Sequence, residues 1–158
     1  MPIKIYFAGP DVFRPDYESV KRRIRQLCIP AGAEAIFPDD NNQTDPLKIF
    51  LVNVGLIRKA DGVIANLNPF RSETEPDSGT AFECGLAFAL GKKVIGYMSD
   101  LRPMVDKFGG TTDPKTQTAV ENFDQPANLM LVQCTDIIVD SVEAAILTVC
   151  KVSNMPSA

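Results

Sequence analysis

Short apolar runs alternate along this chain with longer segments whose apolar residues recur every three or four positions. Ile3–Ala8 (IKIYFA), Gly62–Leu67 (GVIANL) and Lys93–Tyr97 (KVIGY) read as strands, too short and too uniformly apolar for surface helices. Glu34–Phe37, ending at Pro38, and Ile137–Val139 are shorter candidates. Between them, Tyr17–Ala31 carries Val20, Ile24, Leu27 and Cys28 on one helical stripe. Asp45-Pro46 opens a helix through Lys59, with aspartate at the N-cap and proline at the first turn. The apolar stretch from Gly79 to Gly91 and the segment Ser141–Lys151 read as further helices, and Pro126–Gln133 as a short one. Asp100–Gln125, with Gly109-Gly110 at its centre, reads as irregular. Strands separated by helices predict an α/β fold, a five-stranded parallel sheet with helices on both faces. The length of 158 residues fits a single domain spanning 1–158.

In such a sheet, ligands bind beyond the carboxyl ends of the strands. Gly9-Pro10-Asp11, Pro38–Asn42 and Asn66–Ser78 should therefore converge on one cleft. Glu83 enters that cleft as the only charge in GTAFECGLAFALG. An unpartnered buried carboxylate costs several kcal/mol or shifts its pKa, so an isolated one has a specific task. Thr80 and Glu83 have capping-box spacing, in which Glu83 would accept from the Thr80 backbone N–H. The other reading is a carboxylate nucleophile or acid/base. Four further side groups carry the same double reading. Tyr6 is a half-buried strand residue or a donor to a carboxylate. Asp77 favours a helix N-terminus or contacts a ligand and carries a proton. Asp39-Asp40-Asn41-Asn42 is a solvated turn or a set of groups for a heterocycle, with Asp40 and Asn42 the chosen contacts. Phe13 stacks on a flat ligand or anchors its loop, and Gly9, in the turn after the first strand, is a further substrate-contact candidate.

Composition narrows the chemistry. The chain has no histidine, which removes Ser-His-Asp and Cys-His catalysis and histidine metal ligation. Four scattered cysteines form no C-x-x-C pair and fit reduced thiols in a cytosolic protein. A net charge of −4 argues against nucleic acid as a partner. No apolar run reaches the ~18 residues of a membrane span, and MPIKIYFAGP lacks a signal-peptide layout. Neither glycine-rich phosphate motif is present, and Arg71 stands among Glu73, Glu75 and Asp77. The cleft is thus expected to be acidic and to suit a neutral ligand with hydroxyls.

Five blocks carry a resemblance: KIYFAGPDVF, PDDNN, ADGVIANLNPFR, DSGTAFECGLAFALGK and NLML at 128–131. Together, in this order over nearly the whole chain, they resemble the nucleoside 2-deoxyribosyltransferase family. The resemblance implies a flavodoxin-like fold and exchange of the base on a 2′-deoxyribonucleoside, with no metal or cofactor. It implies Glu83 as the nucleophile on C1′, forming a covalent deoxyribosyl-enzyme. Asp77 becomes the acid that assists base departure, and Tyr6 orients the nucleophile. Asn42 falls where some members place a base-binding glutamine, and Asn53 where some place an aspartate for a sugar hydroxyl. Asn128 and Met130 match a pair that completes a neighbouring subunit's site, so the resemblance implies a homo-oligomer. Two successive inversions at C1′ give net retention. A 2′-deoxynucleoside 5′-phosphate N-hydrolase, with Ser72, Ser78 and Arg71 for the phosphate, is the alternative enzyme. A nucleoside-binding module without catalysis is the alternative outside enzymes.

Overall fold

The computed structural model describes residues 1–40 and 43–153. Five strands, β1 (Ile3–Ala8), β2 (Ala33–Ile36), β3 (Gly62–Asn66), β4 (Lys93–Tyr97) and β5 (Ile137–Val139), form one parallel sheet in the order β2-β1-β3-β4-β5. This is the flavodoxin-like order, whose switch point lies between β1 and β3. Six helices accompany it: α1 (Tyr17–Cys28), α2 (Pro46–Lys59), α3 (Ser78–Ala89), α4 (Met104–Phe108), α5 (Leu129–Gln133) and α6 (Val142–Ser153). A 3₁₀ turn, Pro10–Phe13, follows β1.

Alternation along each strand sorts the core into two layers. Tyr6, Ala8, Val63, Ala65 and Val94 face α2, α3 and α5. Ile5, Phe7, Ile64 and Ile95 face α1 and α6. Because β3 is covered on both faces, all five of its residues are buried. No helix among the described residues is long and apolar enough to cross a membrane.

Several boundaries differ from the sequence reading, each for a local reason. Helix α1 stops at Cys28 rather than Ala31, with Ile29 still helical as its cap, because Pro30 has no N–H to donate to the Gln26 carbonyl. Strand β2 is Ala33–Ile36 instead of Glu34–Phe37. The Phe37 N–H donates to the Asp40 carboxylate at 3.0 Å rather than to a strand, and its ring stacks on Phe7 at 5.4 Å. Within 100–125, expected to be irregular, Met104–Phe108 forms α4, closed by Gly109 in the left-handed region at φ 74°. A bridge pairs Thr112 with Ala119. Asp45 caps α2 as expected, accepting from the Lys48 N–H at 2.9 Å, with Pro46 at the first helical position.

At Gly96 in β4, a Cβ would meet Leu67 Cδ1 at 2.6 Å and Ile138 Cγ1 at 3.2 Å. Gly96→Ala is therefore expected to overpack the sheet and destabilise the fold by about 1–3 kcal/mol. A lower urea midpoint at unchanged slope is the expected result.

Candidate active site

Helix α3 begins where β3 hands the chain over through the loop 67–77, at the carboxyl edge of the sheet. Its N-cap is Asp77, whose Oδ2 accepts the Thr80 N–H at 2.8 Å and the Thr80 hydroxyl at 3.0 Å. The capping-box expectation for Thr80 and Glu83 is thereby corrected. The helix starts three residues earlier than that spacing requires, and the Thr80 N–H is already taken.

Glu83 lies deeper in α3, and its Oε1 accepts the Tyr6 hydroxyl at 2.6 Å. Tyr6 is fully buried in the central strand β1. Burial pushes the Glu83 carboxyl up, the Tyr6 hydrogen bond pulls it down and the nearby Asp77 charge pushes it up. The balance sits at about 7, against an ordinary value of 4.5. Burial and the adjacent Glu83 charge push Tyr6 far above the tyrosine range, so it stays a donor.

Glu83 opens into a cavity of about 680 Å³. Gly9, Phe13, Asn53 and Asp77, all expected from the sequence, line it with Glu83. Asn53 Oδ1 is buried and has no hydrogen-bond partner among the described residues. Phe13 anchors its loop and also borders the cavity. It stacks on Phe70 at 5.4 Å, under the Arg71 guanidinium. Arg71 adopts φ 54° and lies 5.2 and 4.6 Å from the two ring centroids. At Gly9 a Cβ would stand 2.8 Å from Asn66 Cβ, so the close approach of β1 and β3 needs glycine.

Other expected residues lie elsewhere. Asp40 does not line the cavity. It holds Arg25 at 2.7 Å and the Phe37 N–H, turned outward by both bonds. Its neighbour Asp39 faces the cavity instead. Asn42 lies outside the described residues. Asn128 and Met130 border a second cavity of about 590 Å³ with Ala81, Gly85 and Phe88 of α3. Asn128 caps α5 through the Met130 N–H at 3.0 Å and donates to Glu121 at 2.7 Å.

Two supports escaped sequence reasoning. Glu121, in the stretch read as irregular, also accepts the Leu129 N–H at 2.7 Å. Asp11 accepts from Asn66 at 2.8 Å and draws the Tyr97 hydroxyl toward it, tying the 3₁₀ turn to the ends of β3 and β4. Asp11 was visible as a charge in an apolar turn, whereas Glu121 gave no signal.

A carboxylate that titrates near neutrality, fixed by a hydroxyl and adjacent to a second carboxylate, can act as nucleophile and share proton transfer with its neighbour. The nucleoside 2-deoxyribosyltransferase model matches residues 5–130, which contain this whole constellation. The chain belongs to that family. A solved 2-deoxyribosyltransferase from Leishmania mexicana is 44% identical, with a TM-score of 0.86 over 95% of this chain and 98% of that one. A conserved protein from Enterococcus faecalis, 24% identical, covers 96% of this chain and 98% of its own at a TM-score of 0.63, a likeness of fold. An uncharacterised protein of Schizosaccharomyces pombe is 32% identical over 112 residues, 65% of this chain and 53% of that protein. The chain thus matches about half the length of this curated relative.

Removing the Tyr6 hydroxyl should leave Glu83 buried without the hydrogen bond that stabilises its charge. Tyr6→Phe is expected to move the pH below which kcat/KM falls upward by about one unit. A purely structural role for Tyr6 would lower activity equally at every pH.

Proposed function

We propose that this chain transfers a 2-deoxyribosyl group between nucleobases by two displacements at C1′. The observation that carries the reading is the buried Tyr6–Glu83 hydrogen bond opening into the cavity beside Asp77. In the first step Glu83 attacks C1′. The C1′–O bond forms, the glycosidic C1′–N bond breaks, and the departing base takes, through Asp77, the single proton that the Glu83–Asp77 pair holds. Both cap bonds of Asp77 use Oδ2, which leaves Oδ1 for the base. In the second step a ring nitrogen of the incoming base attacks C1′ from the vacated face, loses its proton to Asp77 and frees the Glu83 carboxylate. Asn53, with its unsatisfied buried Oδ1, is assigned to a sugar hydroxyl, and Phe13 to the face of the base.

The ligand reading is a nucleoside and not a nucleotide. Among the described residues, the cavity lining holds three carboxylates, Asp39, Asp77 and Glu83, and no lysine or arginine. Arg71 is committed to the aromatic stack, which weighs against a 5′-phosphate pocket. We assign Asn128 and Met130 to the cavity of a second copy of the chain, for two reasons. Met130 is 72% exposed, and the surface around it continues through the exposed Phe88. Neither residue lines the cavity that contains Glu83 of its own chain.

Incubation of thymidine with adenine, or of deoxyinosine with cytosine, is expected to yield the exchanged deoxynucleoside in proportion to donor loss. Free deoxyribose without a new nucleoside would defeat the transfer reading. Glu83→Gln is expected to lower exchange at least ~10³-fold.

The same substitution should stabilise the fold. Because the Glu83 pKa is raised on folding from 4.5 to about 7, its favourable contribution is present at low pH and is lost as pH rises through about 7. Thermal unfolding should find Glu83→Gln matching the wild type near pH 4.5. Above pH 7 it should exceed it by on the order of 3 kcal/mol.

Mixing Glu83→Gln protomers with Met130→Asp protomers tests the shared site. Activity above the sum of the two parents is expected, and a site completed within one chain gives none.

A further inference from the structure

The cavity wall contains one carboxylate that the mechanism above does not use. Asp39 follows β2 and Pro38, at the carboxyl end of the outermost strand on that side. Its side chain is one-third exposed, at 33%, and lines the same cavity as Glu83. On the protein side it is held twice. Oδ1 accepts the Tyr17 hydroxyl at 3.0 Å, and Oδ2 accepts the Lys21 ammonium at 2.6 Å.

Lys21 is the unusual member of this group, being 6% exposed. A buried ammonium persists only with partners. Asp39 and Glu18, the latter at 2.8 Å, supply the charge, and the Tyr17 ring lies 4.8 Å from the nitrogen. Burial alone would lower the Lys21 ammonium, yet these two carboxylates hold it above the usual lysine range. Tyr17 and Lys21 both come from α1, one turn apart, so a single rigid helix fixes both carboxylate oxygens. Each oxygen keeps a lone pair for the cavity. The result is a preorganised pure acceptor whose orientation is set before any ligand arrives.

The sheet order decides which part of a ligand meets it. Asp39 lies past the end of β2, and α3 with Glu83 follows β3, with the end of β1 between them. A deoxynucleoside whose C1′ is at Glu83 must span the end of β1, past Gly9, to touch Asp39. Phe13, Asp39 and Glu83 line the same cavity of about 680 Å³, and the part of a nucleoside farthest from C1′ is the exocyclic edge of its base.

We propose that Asp39, positioned by Lys21 and Tyr17, reads the base by accepting an N–H from its exocyclic amino group, which selects amino-bearing bases over those without a donor at that edge. The assignment rests on the deoxyribosyl-transfer reading and extends it to base choice. A base that presents only C–H or an acceptor leaves a carboxylate facing it unpaired, and a site built to hydrogen-bond a group rejects the analogue lacking it.

The test compares 2′-deoxyadenosine with purine 2′-deoxyriboside as donors to a common acceptor base. The two differ only in the exocyclic amino group. The kcat/KM ratio is measured for the wild type, Asp39→Ala and Asp39→Asn. Intrinsic reactivity cancels when the ratios of variant and wild type are compared. Asp39→Ala is expected to reduce the preference for the amino donor by roughly tenfold or more. Asp39→Asn, which is isosteric and keeps an acceptor, should fall between the two and covers the case in which the alanine variant fails to fold. Equal loss on both donors in both variants would overturn the assignment and give Asp39 a sugar contact or a purely structural role. A wild-type protein that turns over neither donor, nor thymidine nor deoxyinosine, would defeat the transfer reading itself.

Discussion

Placing Glu83 inside an apolar helix is possible only because the hydroxyl of Tyr6 meets it from the central strand at 2.6 Å. That contact depends on several layers of the fold at once. The strand alternation must turn Tyr6 toward α3, and the parallel register must bring the ends of β1 and β3 together. Asp77 must start the helix at the residue that aims Glu83 back over the sheet. Only glycine at position 9 allows the approach beneath it. The balance of burial, one strong hydrogen bond and a neighbouring negative charge leaves a carboxyl that exchanges its proton near neutrality. An exposed glutamate would hold its charge too comfortably to form a bond to carbon, and a fully dry one would not hold it at all.

The charges around the cavity are arranged with the same economy. Among the described residues, three cations near it are engaged. Arg71 lies on two aromatic rings, Arg25 is paired with Asp40, and Lys21 is sealed behind Asp39. The cavity surface therefore presents acceptors, while the positive charge that tolerates them is buried one layer back. Such a lining favours a neutral ligand with donors on its rim and repels phosphate.

Much of this was legible in the sequence where the chain repeats a strong local signal. Strands β1, β3 and β4 are apolar runs with no competing reading, and the isolation of Glu83 in α3 marked it without any fold. The failures have a common physical cause. A capping box is defined by where a helix begins, and Asp77 begins α3 earlier than the Thr80–Glu83 spacing assumed. Asp39 and Asp40 are adjacent in one turn. Which one faces the cavity was decided by Lys21 and Arg25, partners in α1 more than a dozen residues away. Helix α4 is a five-residue segment, too short to show a period, and it depends on the Gly109 cap. The separation of Asn128 and Met130 from Glu83 is likewise a tertiary fact, created by α3 standing between the two cavities.

The tyrosines give this architecture an optical consequence. The chain has three tyrosines and no tryptophan. Each tyrosine hydroxyl is directed at a carboxylate on the carboxyl side of the sheet: Tyr6 at Glu83, Tyr17 at Asp39 and Tyr97 at Asp11. The protein's near-ultraviolet absorption and emission thus originate almost wholly in phenols beside ionisable groups, two of which, Glu83 and Asp39, line the cavity. Proton movement or ligand capture there is written into the intrinsic spectrum of the molecule, with no label attached.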